Sequence, residues 1–477
     1  MSTDAGRLWG ARFTSGPDES AWALGVSTHF DTRLWREDLA GSRAHAAELA
    51  RLGVLDAEAL AAIDAALVRC GELFDAGTFP LLGTDEDLHG AIERWLVEEL
   101  GELGGRLRAG RSRNDQIVSD LRLWCLGAVD RVVGAIVGLQ EALIDQAEAH
   151  VDWLAPAYTH LQRAQPVVLA QPLLAFVWML QRDAERLRDA RRRIDVSVLG
   201  SGAVAGQTLG LDPERYAEDL GFSQVAENSI DATASRDFVL ELAAGLAILA
   251  TTLSRLGEEL VLWSTSEFGF VRLGDGFTTG SSMMPQKRNP DVAELARGKA
   301  GRVIGSLMGL LAMVKGLPLA YDRDLQEDKE PLFDAVDTVL LVLPALTGAI
   351  TSARFDRARL AAAAADDFAL ATDVAERLVL LGVPFREAHE RVGRLVASAE
   401  QRGGTLAELP SEVVAAAHAD LPARWTELLD PRAAVDRRTG RGGTAVESVR
   451  SQLTHARRAV ATLSSPVQLP DRSRAPI

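Results

Sequence analysis

The sequence predicts an all-α fold: a central bundle of long helices, with a smaller and mainly helical domain on either side of it. Three observations predict this. The 477-residue chain is rich in alanine and leucine while aromatics make up only 5%, which favours helix over sheet. Apolar residues recur at helical spacing through five long segments in the middle of the chain. A content of 47% hydrophobic and 25% charged residues is that of a packed chain, not a disordered one.

Each element follows from local pattern. In the first unit, 1–112, segments 39–52 and 56–74 have helical spacing, and Gly77 to Gly83 interrupts them. Asp85 precedes a further face of His89, Ile92, Trp95 and Leu96, and the glycine-rich stretch 101–110 reads as a loop. In the central unit, 113–362, the first long helix covers 117–149, with Val129, Val132, Val133, Ile136, Leu139 and Leu143 on one face. The second covers about 171–194 and the third about 237–263. The fourth runs from beyond Pro290 to about Val314, and the fifth starts near Lys329, with Pro344 as a bend or break. Segment 238–253 is apolar nearly all round. Such a helix needs burial on more than one side, which self-association supplies. The last unit, 363–477, has short helices at 373–381, 385–397 and 410–418, a basic glycine-rich loop at 437–443, a final helix, and a loose tail at 466–477.

Composition narrows the function. Lys and Arg total 51 against 67 Asp and Glu, a net charge of -16, which argues against a general nucleic-acid-binding surface. Cys70 and Cys125 form neither a disulfide framework nor a thiolate metal site. Residues 1–6 are mostly small or polar, so no signal peptide is expected. The longest uncharged run, between Asp337 and Arg354, has 16 residues, short of the ~20 that span a bilayer. A cytoplasmic protein without membrane or nucleic-acid partners is expected.

The chemistry-bearing residues fall between the long helices. Gly110-Arg111-Ser112-Arg113-Asn114-Asp115-Gln116 precedes a helix and offers guanidinium and backbone donors for a carboxylate, or else a solvated cap. Tyr158-Thr159-His160 brings a group that moves protons near neutral pH, beside a hydroxyl that can bind a substrate oxygen. Gly280-Ser281-Ser282-Met283-Met284-Pro285-Gln286-Lys287-Arg288-Asn289-Pro290 has the small residues of a mobile loop. Its Lys287 and Asn289 could hold a carboxylate while a β-proton is removed. Tyr321-Asp322-Arg323-Asp324-Leu325-Gln326-Glu327-Asp328-Lys329-Glu330 alternates charge, which suits a solvated turn or a substrate with both a carboxylate and a cationic head.

Together these segments resemble the argininosuccinate lyases of the fumarase/aspartase superfamily. The resemblance runs from Leu8-Trp9-Gly10 to Gly442-Gly443-Thr444-Ala445. The loop within 274–290 matches the superfamily signature; Ser112-Arg113-Asn114-Asp115 and Leu325-Gln326-Glu327-Asp328-Lys329-Glu330 narrow it to this family. The resemblance implies a fumarase/aspartase-like fold in a homotetramer whose core holds 20 helices, with active sites shared between subunits. It implies cleavage of argininosuccinate to L-arginine and fumarate by anti elimination, with no cofactor and no metal. His160 and Ser281 would form the proton-transfer pair, in either order of acid and base, with Glu294 paired to the histidine across a subunit boundary. Asn114, Thr159, Lys287 and Asn289 would hold the succinyl carboxylates and Arg113 would add positive field. Ser27, Tyr321, Gln326 and Lys329 would hold chiefly the arginine part.

The chain departs from the family pattern at Arg108, Ala109, Gln207, Ser235 and Asp322, none of them a direct proton-transfer or substrate position. Two other readings compete. Adenylosuccinate, aspartate or another N-substituted aspartate could be the substrate, against which the Gln326 and Lys329 region favours an arginine-bearing one. A structural protein without chemistry is disfavoured by the intact His160, Ser281, Lys287 and Asn289.

Overall fold

The computed structural model describes residues 18–464. The Leu8-Trp9-Gly10 motif, the expected absence of a signal in 1–6, and the tail at 466–477 lie outside the described residues. Five long helices make up the middle: α1 (Arg113–Ala149), α2 (Ala170–Ile194), α3 (Asp237–Ser264), α4 (Asp291–Val314) and α5 (Lys329–Thr351). Each begins within a few residues of where apolar spacing placed it. The start of α1 is set by a capping box: Ser112 Oγ accepts from the Asn114 N–H at 3.2 Å, and Asp115 Oδ1 accepts from the Ser112 N–H at 3.1 Å. Such a cap stabilises a helix by about 1 kcal/mol.

The helices pack as one bundle. α3 lies against α2, α4 and α5; α1 lies against α2 and α5; α4 lies against α5. α1 and α5 run parallel, because the Trp124 and Phe333 rings meet at 4.5 Å near their starts and Gln146 Nε2 donates to the Ile350 carbonyl at 2.9 Å near their ends. The preceding helices Trp35–Arg51, Ala57–Asp75 and Leu88–Leu100 share the core of the bundle. Residues from Leu370 to Ala434 build a second, separate core. The last helix, Val446–Ser464, returns to α1 and α2 and buries Val449, Leu453, Ala456 and Val460 in the main core.

Four expectations need correction. α5 runs through Pro344 without a break, since Val342, Leu343 and Leu346 around it are all buried and their packing outweighs a cost of about 3 kcal/mol. The stretch 101–110 contains the helix Glu102–Arg106. Its Gly104 is there for close approach: a Cβ would come within 2.3 Å of the Leu96 carbonyl oxygen. The dominant architecture is the all-α long-helix bundle, but strands are present. β1 (Leu154–Thr159) and β2 (Gln162–Val168) form an antiparallel hairpin in which Pro156 faces Pro166. Three further pairs have two residues per strand. Finally, Arg113–Ala149, Asp237–Ser264 and Arg323–Thr351 are each long and apolar enough to cross a bilayer, which the single 16-residue run understated. More than half of each apolar window is instead buried inside this bundle.

Candidate active site

The predicted residues gather at two opposite ends of the bundle. At the end where α1 and α5 begin, Ser27 is buried and its hydroxyl donates to Asp31 Oδ2. Gln326 Nε2 donates to the same carboxylate at 3.2 Å. Lys329 Nζ donates to Gln326 Oε1 at 3.5 Å and to Asp328 Oδ1 at 2.9 Å, and Asp328 is also paired with Arg236. Arg236, Asp328 and Lys329 are all buried. Burial alone would raise Asp328; Lys329 and Arg236 together hold it below the usual carboxylate range. Burial pushes the Asp31 carboxyl up against the pull of Lys329, and Asp31 Oδ1 keeps no hydrogen-bond partner. Tyr321 is half-buried beside this cluster, and desolvation raises its phenol.

The segment Glu86–Asp87 joins this cluster to the start of α1. The Ser27 N–H donates to the Glu86 carbonyl at 2.8 Å, and Arg113 Nη1 donates to Asp87 Oδ1 at 2.6 Å. Burial would lower the Arg113 guanidinium, but Asp87 and then Glu93 keep it above its usual range. The positive field expected of Arg113 is therefore already met, in this chain, by Asp87. Asn114 Nδ2 donates to the Ala203 carbonyl at 3.2 Å. Sequence reading missed Asp31, Asp87, Asp328 and Arg236, which hold the others in place. Asp87 carried a local signal as the N-cap one residue before the helix Leu88–Leu100, and Asp328 lay within the charged segment 321–330 without a role of its own.

The remaining residues lie at the far end. α1 has 37 residues and so extends ~55 Å. His160 follows its last residue by only eleven positions, a reach of at most ~38 Å, so His160 stays at least ~15 Å from Arg113. The Tyr158 ring meets Phe268, just past the end of α3, with centroids 5.5 Å apart. His160 and Leu161 form the two-residue tip of the β1–β2 hairpin, both with φ of 56°. That is the pattern of a type I′ turn, which disfavours residues with a Cβ by roughly 1–2 kcal/mol each. Strain of this kind at an exposed histidine and leucine, directly after the exposed Thr159, is a functional signal.

The signature loop reaches the same far end. Its strands Thr279–Gly280 and Arg288–Asn289 pair, with Asn289 Nδ2 at 3.5 Å from Thr279 Oγ1. Phe277 packs on Gly348 of α5, where a Cβ would fall within 2.1 Å of the ring. Ser281 Oγ accepts from the Met283 N–H at 3.2 Å and the Met284 N–H at 3.0 Å. Lys287 and Glu294 are exposed, and among the described residues neither side chain makes a hydrogen bond or ion pair. Glu294 sits in the first turn of α4, which packs antiparallel to the last turns of α3 through Ala293 on Gly257. No hydrogen bond or ion pair among the described residues joins His160 to Ser281 or Glu294. A cleft of about 730 Å³ opens beside the turn, lined by Tyr158, Leu161, Arg163, Phe268, Phe270 and Asp366. As for metals, Asp38, His89 and Asp120 place possible ligand atoms within 4.8 Å of one another, but His89 Nδ1 is already bonded to Asp38.

Comparison with known proteins decides the family. The family model described as "Lyase" matches residues 11–305, and "Argininosuccinate lyase C-terminal" matches residues 368–436. The argininosuccinate lyase of Acidothermus cellulolyticus is 54% identical over 464 residues, 96% of this chain and 95% of that protein. The chain belongs to the argininosuccinate lyase family. The argininosuccinate lyase of Thermobifida fusca is 52% identical over 455 residues, 95% of this chain and 96% of its own. Among solved structures, EDDS lyase in complex with formate superposes with a TM-score of 0.83 at 29% identity, covering 96% of this chain and 91% of that one. The long-helix bundle is therefore the fold of the fumarase/aspartase superfamily.

Proposed function

We propose that this chain is an argininosuccinate lyase, a carbon–nitrogen lyase that converts 2-(Nω-L-arginino)succinate reversibly to L-arginine and fumarate in the last step of arginine biosynthesis. The observation that carries the reading is the buried cluster around Asp31. It offers a carboxylate oxygen without a partner beside the Lys329 ammonium, the complement of an amino-acid head carrying both charges. Ser27, Gln326, Lys329 and Tyr321 would hold the arginine part there. Asn114, Thr159, Lys287 and Asn289 would hold the succinyl carboxylates, with Lys287 free to bind one of them.

The elimination removes a proton β to the leaving nitrogen and breaks one C–N bond, so it calls for neither a redox cofactor nor a metal. The proton is weakly acidic. Its loss becomes feasible when the neighbouring carboxylate is held by cations and amides that meet the charge as it forms. Ser281 suits the base, since two backbone N–H groups already point at Oγ and would stabilise its alkoxide. His160, on an exposed turn, then suits the acid that protonates the departing guanidine, with Glu294 orienting it.

The arrangement favours a homotetramer with shared sites. The residues for the arginine part sit at one end of the bundle and the proton-transfer residues at the other, and another copy in antiparallel orientation brings the two ends together. α4 buries only Ala293, Ala296, Ala300, Val303 and Leu310; Leu295, Ile304, Met308 and Leu311 are exposed on it, an apolar face that further copies would cover. We divide the chain at 112 and 362 as expected, with the last helix returned to the bundle, and place the protein in the cytoplasm. The direct test is fumarate release, followed by ultraviolet absorbance, from argininosuccinate against adenylosuccinate and aspartate. Absence of fumarate from argininosuccinate would sink the reading.

A further inference from the structure

Below the segment that carries Ser27 and Arg113 lies a closed polar cluster with no part in the chemistry above. His89 sits in the first turn of the helix Leu88–Leu100, two residues after Asp87. Its Nδ1 is hydrogen-bonded to Asp38 Oδ2, which also accepts from Gln116 Nε2 at 2.9 Å, while Asp38 Oδ1 accepts from Ser42 Oγ at 3.1 Å. Asp120 Oδ2 approaches the same His89 nitrogen at 3.5 Å. Asp120 is fully buried, yet neither of its oxygens has a hydrogen-bond partner.

Two buried carboxylates thus face one imidazole, and only one of them has donors. An ionised carboxylate without donors in a dry site is strongly disfavoured, and the common resolution is to keep its proton. The surroundings do not relieve it. Facing the cluster are Glu37 and Asp38 from the helix Trp35–Arg51, His89 and Asp87 around the helix Leu88–Leu100, and Asp31 beside His89. Cys70 comes from the helix Ala57–Asp75, and Arg111 and Asp115 from around the start of α1. Arg111 is the cation that opposes both Asp38 and Asp120, and its Nη1 donates to Ser42 Oγ.

We propose that Asp120 is a positioning residue, held as a neutral acid, that keeps His89 on Asp38 and so fixes the Glu86–Asp87 segment under Ser27 and Arg113. Burial, reinforced by the charge of Asp38, pushes the Asp120 carboxyl well up from its ordinary value, in the same direction. Deprotonation would set two anions against one imidazole. The first turn of Leu88–Leu100 would shift, and with it the Asp87 carboxylate that holds Arg113. Substrate binding would weaken more than turnover. This inference rests on the active-site reading above, but its central statement concerns a proton and is tested without activity.

The experiment compares wild-type protein with Asp120→Asn. Infrared difference spectra at neutral pH should contain the carbonyl stretch of a neutral carboxylic acid in the wild type, absent from D120N. The variant should fold, because a neutral amide replaces a neutral acid. Its kcat and KM for argininosuccinate at neutral pH should stay within about threefold of wild type. In wild type, KM should rise towards alkaline pH while kcat holds, and in D120N that rise should vanish. Absence of the acid band, failure of D120N to fold, or one equivalent of transition metal bound to the wild-type cluster would each overturn the proposal. If the band is present but no fumarate is made, the proton assignment stands and the lyase reading fails.

Discussion

At one end of the bundle the candidate residues are already tied down: Ser27 and Gln326 to Asp31, Lys329 to Asp328, Arg113 to Asp87. At the other end His160, Lys287 and Glu294 are exposed and hold no side-chain hydrogen bond or ion pair among the described residues. The difference separates two kinds of cost. The buried end combines charges whose desolvation is offset only while every partner is present. The exposed end keeps charges hydrated and strained backbone accessible, an arrangement that leaves its groups free for substrate and for another copy of the chain. The first end should thus be sensitive in stability and the second in rate alone.

The largest effect expected is on rate. His160→Ala and Ser281→Ala should each lower kcat by about 10³-fold or more while melting temperature and oligomeric state stay as in wild type. A near-normal rate in either variant would remove that residue from proton transfer. Asp328→Asn should strike the other end, leaving Arg236 and Lys329 buried without their counter-charge. Denaturant unfolding should then lose about 3–5 kcal/mol, with activity lost alongside. A stable, inactive D328N would blur the contrast between the two ends.

Gly348→Ala tests whether the signature loop depends on α5. The new methyl would collide with Phe277, which has to move. A loss of kcat of about tenfold with little change in stability is expected; an unchanged kcat would mean that the loop does not need this seat. A pH effect on stability concerns Asp115, whose carboxyl burial raises to about 6 despite N–H donors from Gly202, Gly200 and Ser112. A raised folded value means that this group's contribution is full below the ordinary carboxylate range and lost as pH rises through about 6. Stability of wild type relative to Asp115→Asn should therefore fall by about 2–3 kcal/mol between acid and neutral pH. A pH-independent difference would show that Asp115 titrates normally.

The five long helices were legible because their packing writes a local, periodic pattern; α3 and α4 begin where Asp237 and Pro290 mark them. The β1–β2 hairpin was not, since its strands are mixed in polarity and carry Pro156 and Pro166. The site residues were legible as polar breaks between helices, and the family resemblance supplied their roles. Their partners were not. Asp31 meets Gln326 across 295 positions and Arg236 meets Asp328 across 92, and pairings at such separation leave no local trace. The turn strain at His160 was equally silent, because a positive φ at a histidine is imposed by the hairpin around it.

The central claim is that one chain's binding end works with another chain's proton-transfer end. Mixing inactive His160→Ala with inactive Lys329→Met under conditions of subunit exchange tests it most directly. With shared sites, some sites combine two intact ends, and activity should recover to about a quarter of wild type. If exchange is verified and activity stays at the level of the separate variants, each site lies within a single chain and the account is wrong.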